Sequence, residues 1–349
     1  MELKRNIGIL TGGGDCPGLN AAIRATTKAA IRIGWEVVGI RDGWEGLLFN
    51  RTELLDRVKT SGIIDRGGTI LGASRTSPLR IQNGSQHVFD TFGQLGLDAL
   101  VVLGGEGTLA VASRFFEMGL PVVGIPKTID NDVRETDYSI GFQTAVQIAT
   151  DALDRLRSTA ESHHRVMILE VMGRRTGWIA TYAGMANGAE AILIPEIPVN
   201  GERLDQLCKM LETRKGRGVN FSIIVVAEGV ELEGETIFQP NLGKDKKDGP
   251  DRLGGVGQAL AGLIERRTEL PTRVSSLGYI QRGGTPVAYD RSLATAFGVE
   301  AIELIGAKKY GRMATLKGNR ITSVPLEKVA GGIKVVDLSI YKDASVFFG

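Results

Sequence analysis

The heptapeptide PKTIDND, residues 126–132, sets Lys127, Thr128, Asp130 and Asp132 within seven positions, directly after the apolar run LPVVGI. If the chain stays extended there, the period-two rule puts Asp130 and Asp132 on one face, so one carboxylate can act as a base while the other orients metal or substrate. Asx turns that only close a loop are the competing reading, and Lys127 taken alone can equally be a solvated lysine. GGGD, residues 12–15, frees backbone N–H groups to approach an anion without a Cβ in the way; its alternative is a tight strand-to-helix turn. GEGT, residues 105–108, flanks Glu106 with glycines, which suits a hard cation such as Mg²⁺, although an acid there also favours a helix N-terminus. The longer stretch GEGTLA matches a dinucleotide fingerprint through Gly105, Gly107 and Ala110, with Asp130 about 20 residues on, so an NAD-dependent oxidoreductase reading is carried alongside.

Arginines recur beside expected strands: Arg75 in SRTSP, Arg165 in SHHRV, Arg174 and Arg175 in MGRRTG, and Arg282 in IQRGG with Arg273 nearby. A planar guanidinium suits phosphate, yet an arginine taken singly is more often a surface charge. His87, His163 and His164 are the only histidines. Adjacent positions do not share a helix face, so the last two point to capping or surface roles and not to a shared metal. No GxxxxGK[ST] stretch, HExxH motif or Ser-His pairing is present. Glycine-rich anion cradles, several arginines and three acids without a paired nucleophile fit phosphoryl transfer, where positioning and electrostatics do most of the work.

These residues need strands to carry them. NIGIL, the glycine loop, AAIRATTKAAIRIG and WEVVGI read as strand, turn, helix and strand. LDALVVLG, GEGT, LAVASRFFEMG and LPVVGI read as a second such unit. The pattern restarts near Phe142 with the helix FQTAVQIATDALDRLRSTAESH, then the strand RVMILEVM, the loop GRRTG, a helix and the strand FSIIVVAEG. The 47 glycines against 11 prolines cluster after apolar runs, as strand-loop-helix turns require. Val, Ile and Leu runs imply parallel strands covered on both faces, with ligands held beyond their carboxyl ends. Residues 231–256, containing GKDKKDGPDRLGG, read as a solvated excursion. With 42 basic against 40 acidic residues there is no global field for nucleic acid or membrane. Cys16 and Cys208 lie far apart without CxxC and are expected to be free thiols, and no apolar run reaches a membrane span. A soluble, unsecreted α/β protein of two domains is expected.

GGGDCPGLNAAIR, GGTILG, GGEGT, PKTIDND, VMGRRTGW, AEG and QRGGTP, in this order and spacing, resemble the 6-phosphofructokinase family over essentially the whole chain. The resemblance implies a cytoplasmic glycolytic enzyme of two Rossmann-like three-layer α/β domains, with the active site in the cleft between them. One domain would be 1–141 plus about 257–308, binding nucleotide, and the other 142–256 plus about 309–328, binding sugar phosphate, with 329–349 as a tail. It implies transfer of the γ-phosphate of ATP to the C1 hydroxyl of fructose 6-phosphate with Mg²⁺. Asp130 would be the base, Thr128 and Asp132 its supports, and Glu106 the metal ligand. Gly14, Arg75, Thr76, Gly105, Gly107 and Thr108 would line the nucleotide phosphates, with Arg75 also meeting transition-state charge. Met172, Gly173, Arg174, Glu228, Tyr279 and Arg282 would hold the sugar phosphate. Arg165 and Arg273 would come from a neighbouring subunit of a homodimer or homotetramer.

Three positions depart from the family's pattern: glutamate at 106 replaces the usual aspartate, Tyr279 stands where many members have histidine, and the donor motifs are mixed. Pyrophosphate users resemble GGDD followed by PKTIDND, and ATP users resemble GGDG followed by PGTIDND. Gly107 leaves space that an aspartate would fill, which favours ATP, and Lys127 keeps pyrophosphate as the alternative donor. A non-catalytic phosphosugar sensor is the remaining alternative, to be separated by turnover. Arg24 and Lys28, where some relatives bind effectors, read equally as solvated helix residues.

Overall fold

The computed structural model describes residues 5–233 and 254–349, so the greater part of the GKDKKDGPDRLGG stretch lies outside the described residues. The chain divides into two compact units, Met1–Thr144 with Arg282–Lys334 and Ala145–Gln281 with Val335–Gly349.

In the first unit β1 (Asn6–Thr11), α1 (Leu19–Arg32), β2 (Glu36–Ile40), α2 (Trp44–Leu48), β3 (Thr52–Leu55), α3 (Gly84–Gln94), β4 (Ala99–Gly104), α4 (Glu106–Glu117) and β5 (Val122–Pro126) follow in order. The chain returns to this unit with α9 (Ala288–Gly306), β10 (Arg312–Lys317) and β11 (Arg320–Pro325). Seven strands lie in the order β11-β10-β5-β4-β1-β2-β3. The inner five are parallel, and β3 and β11 add antiparallel edges. Leu10, Leu100, Val102 and Val122 join Leu109, Ala112 and Phe115 of α4 in one core. Ile7, Ile9, Val101 and Leu103 alternate with them and are also fully buried, so both sheet faces are covered, as the continuous apolar runs require.

The second unit contains most of α5 (Phe142–His163), then β6 (Val166–Val171), α6 (Trp178–Asn187), β7 (Ala191–Leu193), α7 (Gly201–Gly216), β8 (Ser222–Ala227), α8 (Val256–Thr268), β9 (Thr272–Ser276) and α10 (Leu338–Ala344). Its four strands run in the order β7-β8-β6-β9, all parallel. The expected long helix coincides with α5 end to end, and it stops where His164 takes a left-handed φ of 54°.

The division of the chain differs from expectation in three places. Residues 257–281 belong to the second unit because β9 pairs along β6, and 309–328 belong to the first because β10 pairs with β5. The expected tail 329–349 splits after Lys334, and its last part forms α10. The α10 phenol of Tyr341 donates to the Ile192 carbonyl at 2.7 Å and accepts from Arg203 at 2.7 Å, so this segment is docked. Strand pairing and these long-range bonds leave no local mark that a short sequence window would reveal. No helix among the described residues is long and apolar enough to cross a membrane.

Candidate active site

In the first unit the loops after β1, β4 and β5 open at the carboxyl ends of three adjacent parallel strands. Main-chain bonds tie them: Gly12 N–H donates to Leu103 O at 2.9 Å and Lys127 N–H to Gly104 O at 3.0 Å. Thr108 packs between them, so closely that a Cβ on Gly12 would stand 2.6 Å from its methyl and one on Gly104 2.3 Å from its Cβ. Thr108, expected on the donor's phosphates, is thus also a spacer between two loops. Gly13 has φ 80°, which a side chain would strain, and Gly14 faces Arg282, whose Nη1 lies 2.1 Å from where a Cβ would be. Arg282 was expected among the sugar-phosphate residues; it lies in the first unit, over the GGGD loop.

Lys127 is not a solvated lysine. It is 2% exposed, and its ammonium donates to Gly12 O at 2.8 Å and Gly14 O at 2.5 Å. Burial pushes its pKa below the ordinary lysine range, and Asp15 and Asp130 are among the charges that pull it back up. Beside it, burial pushes the Cys16 thiol up to about 12, and Sγ donates to Ile140 O at 3.2 Å. Both cysteines are free, as expected, and both are buried.

The chain does not remain extended through PKTIDND. Residues 129–130 turn and Asn131 takes φ 50°, but burial still alternates, with Lys127, Ile129 and Asn131 buried and Thr128, Asp130 and Asp132 partly exposed. The Asp130 N–H donates to Thr128 Oγ1 at 3.2 Å. Two residues missed in the sequence hold the turn. Asn131 Oδ1 accepts from Ser139 N–H at 3.1 Å, and Ser139 Oγ donates to Thr128 O at 2.7 Å. Lys334 N–H also donates to Asp132 O at 2.8 Å.

Glu106 is the first residue of α4, because the helix begins three residues before the LAVASRFFEMG segment expected to form it. An acid in a first turn complements the helix dipole. Among the described residues no cluster of three or more His, Cys, Asp or Glu is arranged to hold a metal ion. A single partly exposed carboxylate between glycines nevertheless fits Mg²⁺, which takes one or two carboxylates together with substrate phosphates. Gly107 is exposed, and a Cβ there would meet nothing within 4 Å.

Arg75 is exposed on a loop bridged to the glycine turn, Gly13 N–H donating to Ser74 O at 2.9 Å. Thr76, expected on the donor, donates its hydroxyl to Glu45 Oε2 at 2.7 Å. Glu45 was not singled out in the sequence, since the pair is 31 positions apart. A separate cavity of about 790 Å³ opens at the far end of α4, lined by Phe116, Glu117, Glu300 and Arg312, and contains none of these loop residues.

In the second unit Met172, Gly173 and Arg174 follow β6, Glu228 follows the adjacent β8, and Tyr279 lies in a short turn after β9 on the other side of β6. All five therefore sit at the carboxyl end of one parallel sheet. Gly173 has φ 145°, and a Cβ on Gly229 would come within 1.9 Å of Arg174 O, so the two loops lie main chain against main chain. Gln281 accepts from Met172 N–H at 2.7 Å, and Glu196 accepts from Gly177 N–H at 3.0 Å; neither was foreseen. Arg174 is exposed and Tyr279 is 74% exposed. Arg165 and Arg273 stand at the amino ends of β6 and β9, at the opposite edge.

A family model described as Phosphofructokinase matches residues 6–305. The chain belongs to the phosphofructokinase family. The resemblance seen in the motifs and the α/β architecture both hold. A pyrophosphate–fructose 6-phosphate 1-phosphotransferase of Streptomyces coelicolor is 47% identical over 351 residues, 98% of this chain and 99% of that one. An ATP-dependent 6-phosphofructokinase of Mycobacterium tuberculosis is 48% identical over 345 residues, again 98% and 99% of the two chains. Among solved structures, Pichia pastoris phosphofructokinase in the T-state matches this phosphofructokinase-family chain with a TM-score of 0.81 at 32% identity. That match covers 94% of this chain, which spans 36% of the length of the solved one. A pyrophosphate-dependent phosphofructokinase from Marinobacter aquaeolei shares the fold, with a TM-score of 0.82 over 99% of this chain and 92% of that one at 24% identity.

Proposed function

We propose that this chain transfers the γ-phosphoryl group of ATP to the C1 hydroxyl of fructose 6-phosphate. The observation that carries this reading is the meeting of the Gly12–Gly14, Gly105–Thr108 and Lys127–Asp132 loops at three adjacent strand ends. Backbone N–H groups and the start of α4 suit the donor's phosphates, and the Asp130 carboxylate takes the proton of the C1 hydroxyl as its oxygen attacks phosphorus. The new O–P bond forms as the bond to the β-phosphate bridging oxygen breaks, and Arg75 meets the charge that develops. Thr128 and Asp132 support Asp130. Met172, Gly173, Arg174, Glu228 and Tyr279 hold the sugar phosphate, and Arg282, over the GGGD loop, stands on the phosphoryl side. Mg²⁺ held by Glu106 and the donor would neutralise phosphate charge. Arg165 and Arg273 serve a neighbouring subunit of a homodimer or homotetramer, and the enzyme works in the cytoplasm within glycolysis.

The open space at Gly107 supports ATP, since an aspartate there would repel a nucleotide's α-phosphate. Pyrophosphate is the second reading, favoured by relatives at 44–48% identity that bear that name. Lys127 adds less to it than its charge suggests, because its ammonium already serves two carbonyl groups of the glycine loop. A coupled assay with fructose 6-phosphate and Mg²⁺ on one preparation compares the donors. Turnover with ATP is expected, and turnover with pyrophosphate alone would overturn the donor. Failure with both donors would return the phosphosugar sensor. Asp130→Asn should abolish turnover while fructose 6-phosphate still binds by calorimetry, and near-normal kcat would remove Asp130 as the base.

A further inference from the structure

Arg75 sits between two hydroxyl residues, and both lean on one carboxylate. Thr76 Oγ1 donates to Glu45 Oε2 at 2.7 Å, Ser74 Oγ lies 3.0 Å from the same oxygen, and Thr76 N–H donates to Ser74 Oγ at 2.9 Å. Ser74 Oγ is also 2.7 Å from Thr76 Oγ1, so its one proton alternates between that hydroxyl and Glu45. On the other side Glu45 Oε1 accepts from Arg51 at 2.5 Å, and Arg51 is braced by Asp42 at 3.1 Å. Glu45 is itself fixed, since it follows Gly43 and Trp44 at the start of α2. A Cβ on Gly43 would stand 2.9 Å from Thr11 O and 3.3 Å from Gly12 Cα, so this turn lies directly against the glycine loop. Gly13 N–H closes the circuit on Ser74 O at 2.9 Å.

We infer that Glu45 is a positioning residue for phosphoryl transfer: by fastening the residues on both sides of Arg75, it fixes where that guanidinium stands relative to the Gly12–Gly14 loop. The hydrogen bond from Thr76, more than any other contact, holds the Glu45 carboxyl below the ordinary carboxylate range, so the fastener stays ionised at neutral pH. Arg75 itself is exposed, and among the described residues no hydrogen bond restrains its side chain, so main-chain placement is what sets where it can reach. A partly exposed carboxylate of this kind adds little to stability, and its value lies in geometry.

The inference rests on the proposed phosphoryl transfer, and two readouts separate the two. In steady-state kinetics Glu45→Ala should lower kcat by at least about tenfold, while KM for fructose 6-phosphate stays within about twofold. Glu45→Gln, which keeps an acceptor oxygen but loses the charge facing Arg51, should fall between Glu45→Ala and the unaltered enzyme. Ser74→Ala, which leaves Glu45, Arg51 and Thr76 in place, should lower kcat less than Glu45→Ala. In limited trypsinolysis read by mass spectrometry, cleavage after Arg75 should be several-fold faster in Glu45→Ala than in the unaltered chain, with other early cleavages unchanged. Unchanged kcat together with an unchanged rate of cleavage after Arg75 in Glu45→Ala would overturn the role. Equal acceleration at every site, from loss of the whole fold, passes the decision to Ser74→Ala, where unchanged kcat and cleavage overturn it likewise. If the unaltered chain turns over neither donor, the functional reading fails. Faster cleavage after Arg75 would then still establish Glu45 as the fastener of this loop, and unchanged cleavage would remove both.

Discussion

Two lysines show how far burial alters what a residue type implies. In PKTIDND a lysine reads as a charge for solvent or for an anion, yet Lys127 spends its ammonium on two loop carbonyls. Lys334 is similar, donating to Thr136 O and Asp137 O, both at 2.8 Å, and burial pushes its pKa down to about 8, against the pull of Asp137 and Asp132. Between about pH 8 and 10.5 the unfolded chain keeps this lysine protonated while the folded chain does not, so the unfolded state binds more protons there. Stability should therefore rise with pH across that window, by up to ~3 kcal/mol from this group. Urea unfolding of the unaltered chain against Lys334→Met at pH 7.5 and about pH 10 isolates the effect. A difference between the two that does not shift in favour of the unaltered chain at the higher pH contradicts it. The chemical types of Lys127, Thr128, Asp130 and Asp132 were legible in the sequence because they are adjacent. Their anchors Asn131, Ser139 and Lys334 were not, because each acts through main-chain groups whose approach no local pattern records.

At the level of elements, glycines were the most informative signal, and α4 shows their limit. GEGT was expected to be a turn preceding a helix, but Glu106, Gly107 and Thr108 already form its first turn. Hence Glu106 serves the helix dipole whether or not it binds metal, and Gly107 is a helical glycine with open space beside it. Gly107→Asp should stabilise the fold by ~0.5–1 kcal/mol, through the lost glycine penalty and a second acid in the first turn. The same substitution should raise KM for ATP at least about tenfold while sparing use of pyrophosphate. Thermal unfolding and the two-donor assay check the two halves separately. A destabilised variant would mean that the space is not open, and unchanged use of ATP would mean that it is not where the nucleotide lies.

Across the whole molecule, Arg165 and Arg273 present the clearest geometric demand. Arg165 immediately precedes β6 and Arg273 lies in the first residues of β9, whereas Met172, Gly173 and Arg174 follow the end of β6, with Met172 five to seven residues or roughly 17–23 Å further along at the usual rise per residue. Within one chain they belong to opposite ends of the β6–β9 strand pair, which supports the proposed service to a neighbouring subunit. Arg165→Ala and Asp130→Asn should each be nearly inactive alone. Mixed under conditions of subunit exchange they should regain activity, since some sites then receive an intact base and an intact arginine. Absence of recovery, with exchange verified by labelled subunits, would count against arginines supplied in trans.

The sequence by itself determined the α/β class, the family and the candidate loops for the chemistry, because apolar period, glycine placement and short motifs are local properties of the chain. Only the tertiary structure decided that α8 and β9 belong with β6 and that β10 and β11 extend the first sheet, since strand partners are chosen by pairing between distant segments. It also decided that Lys127 braces the glycine loop, that Arg282 lies over Gly14, and that Glu45 grips both sides of Arg75. Each depends on contacts between residues tens to hundreds of positions apart, where burial and hydrogen bonding, and not residue type, fix what a side chain does.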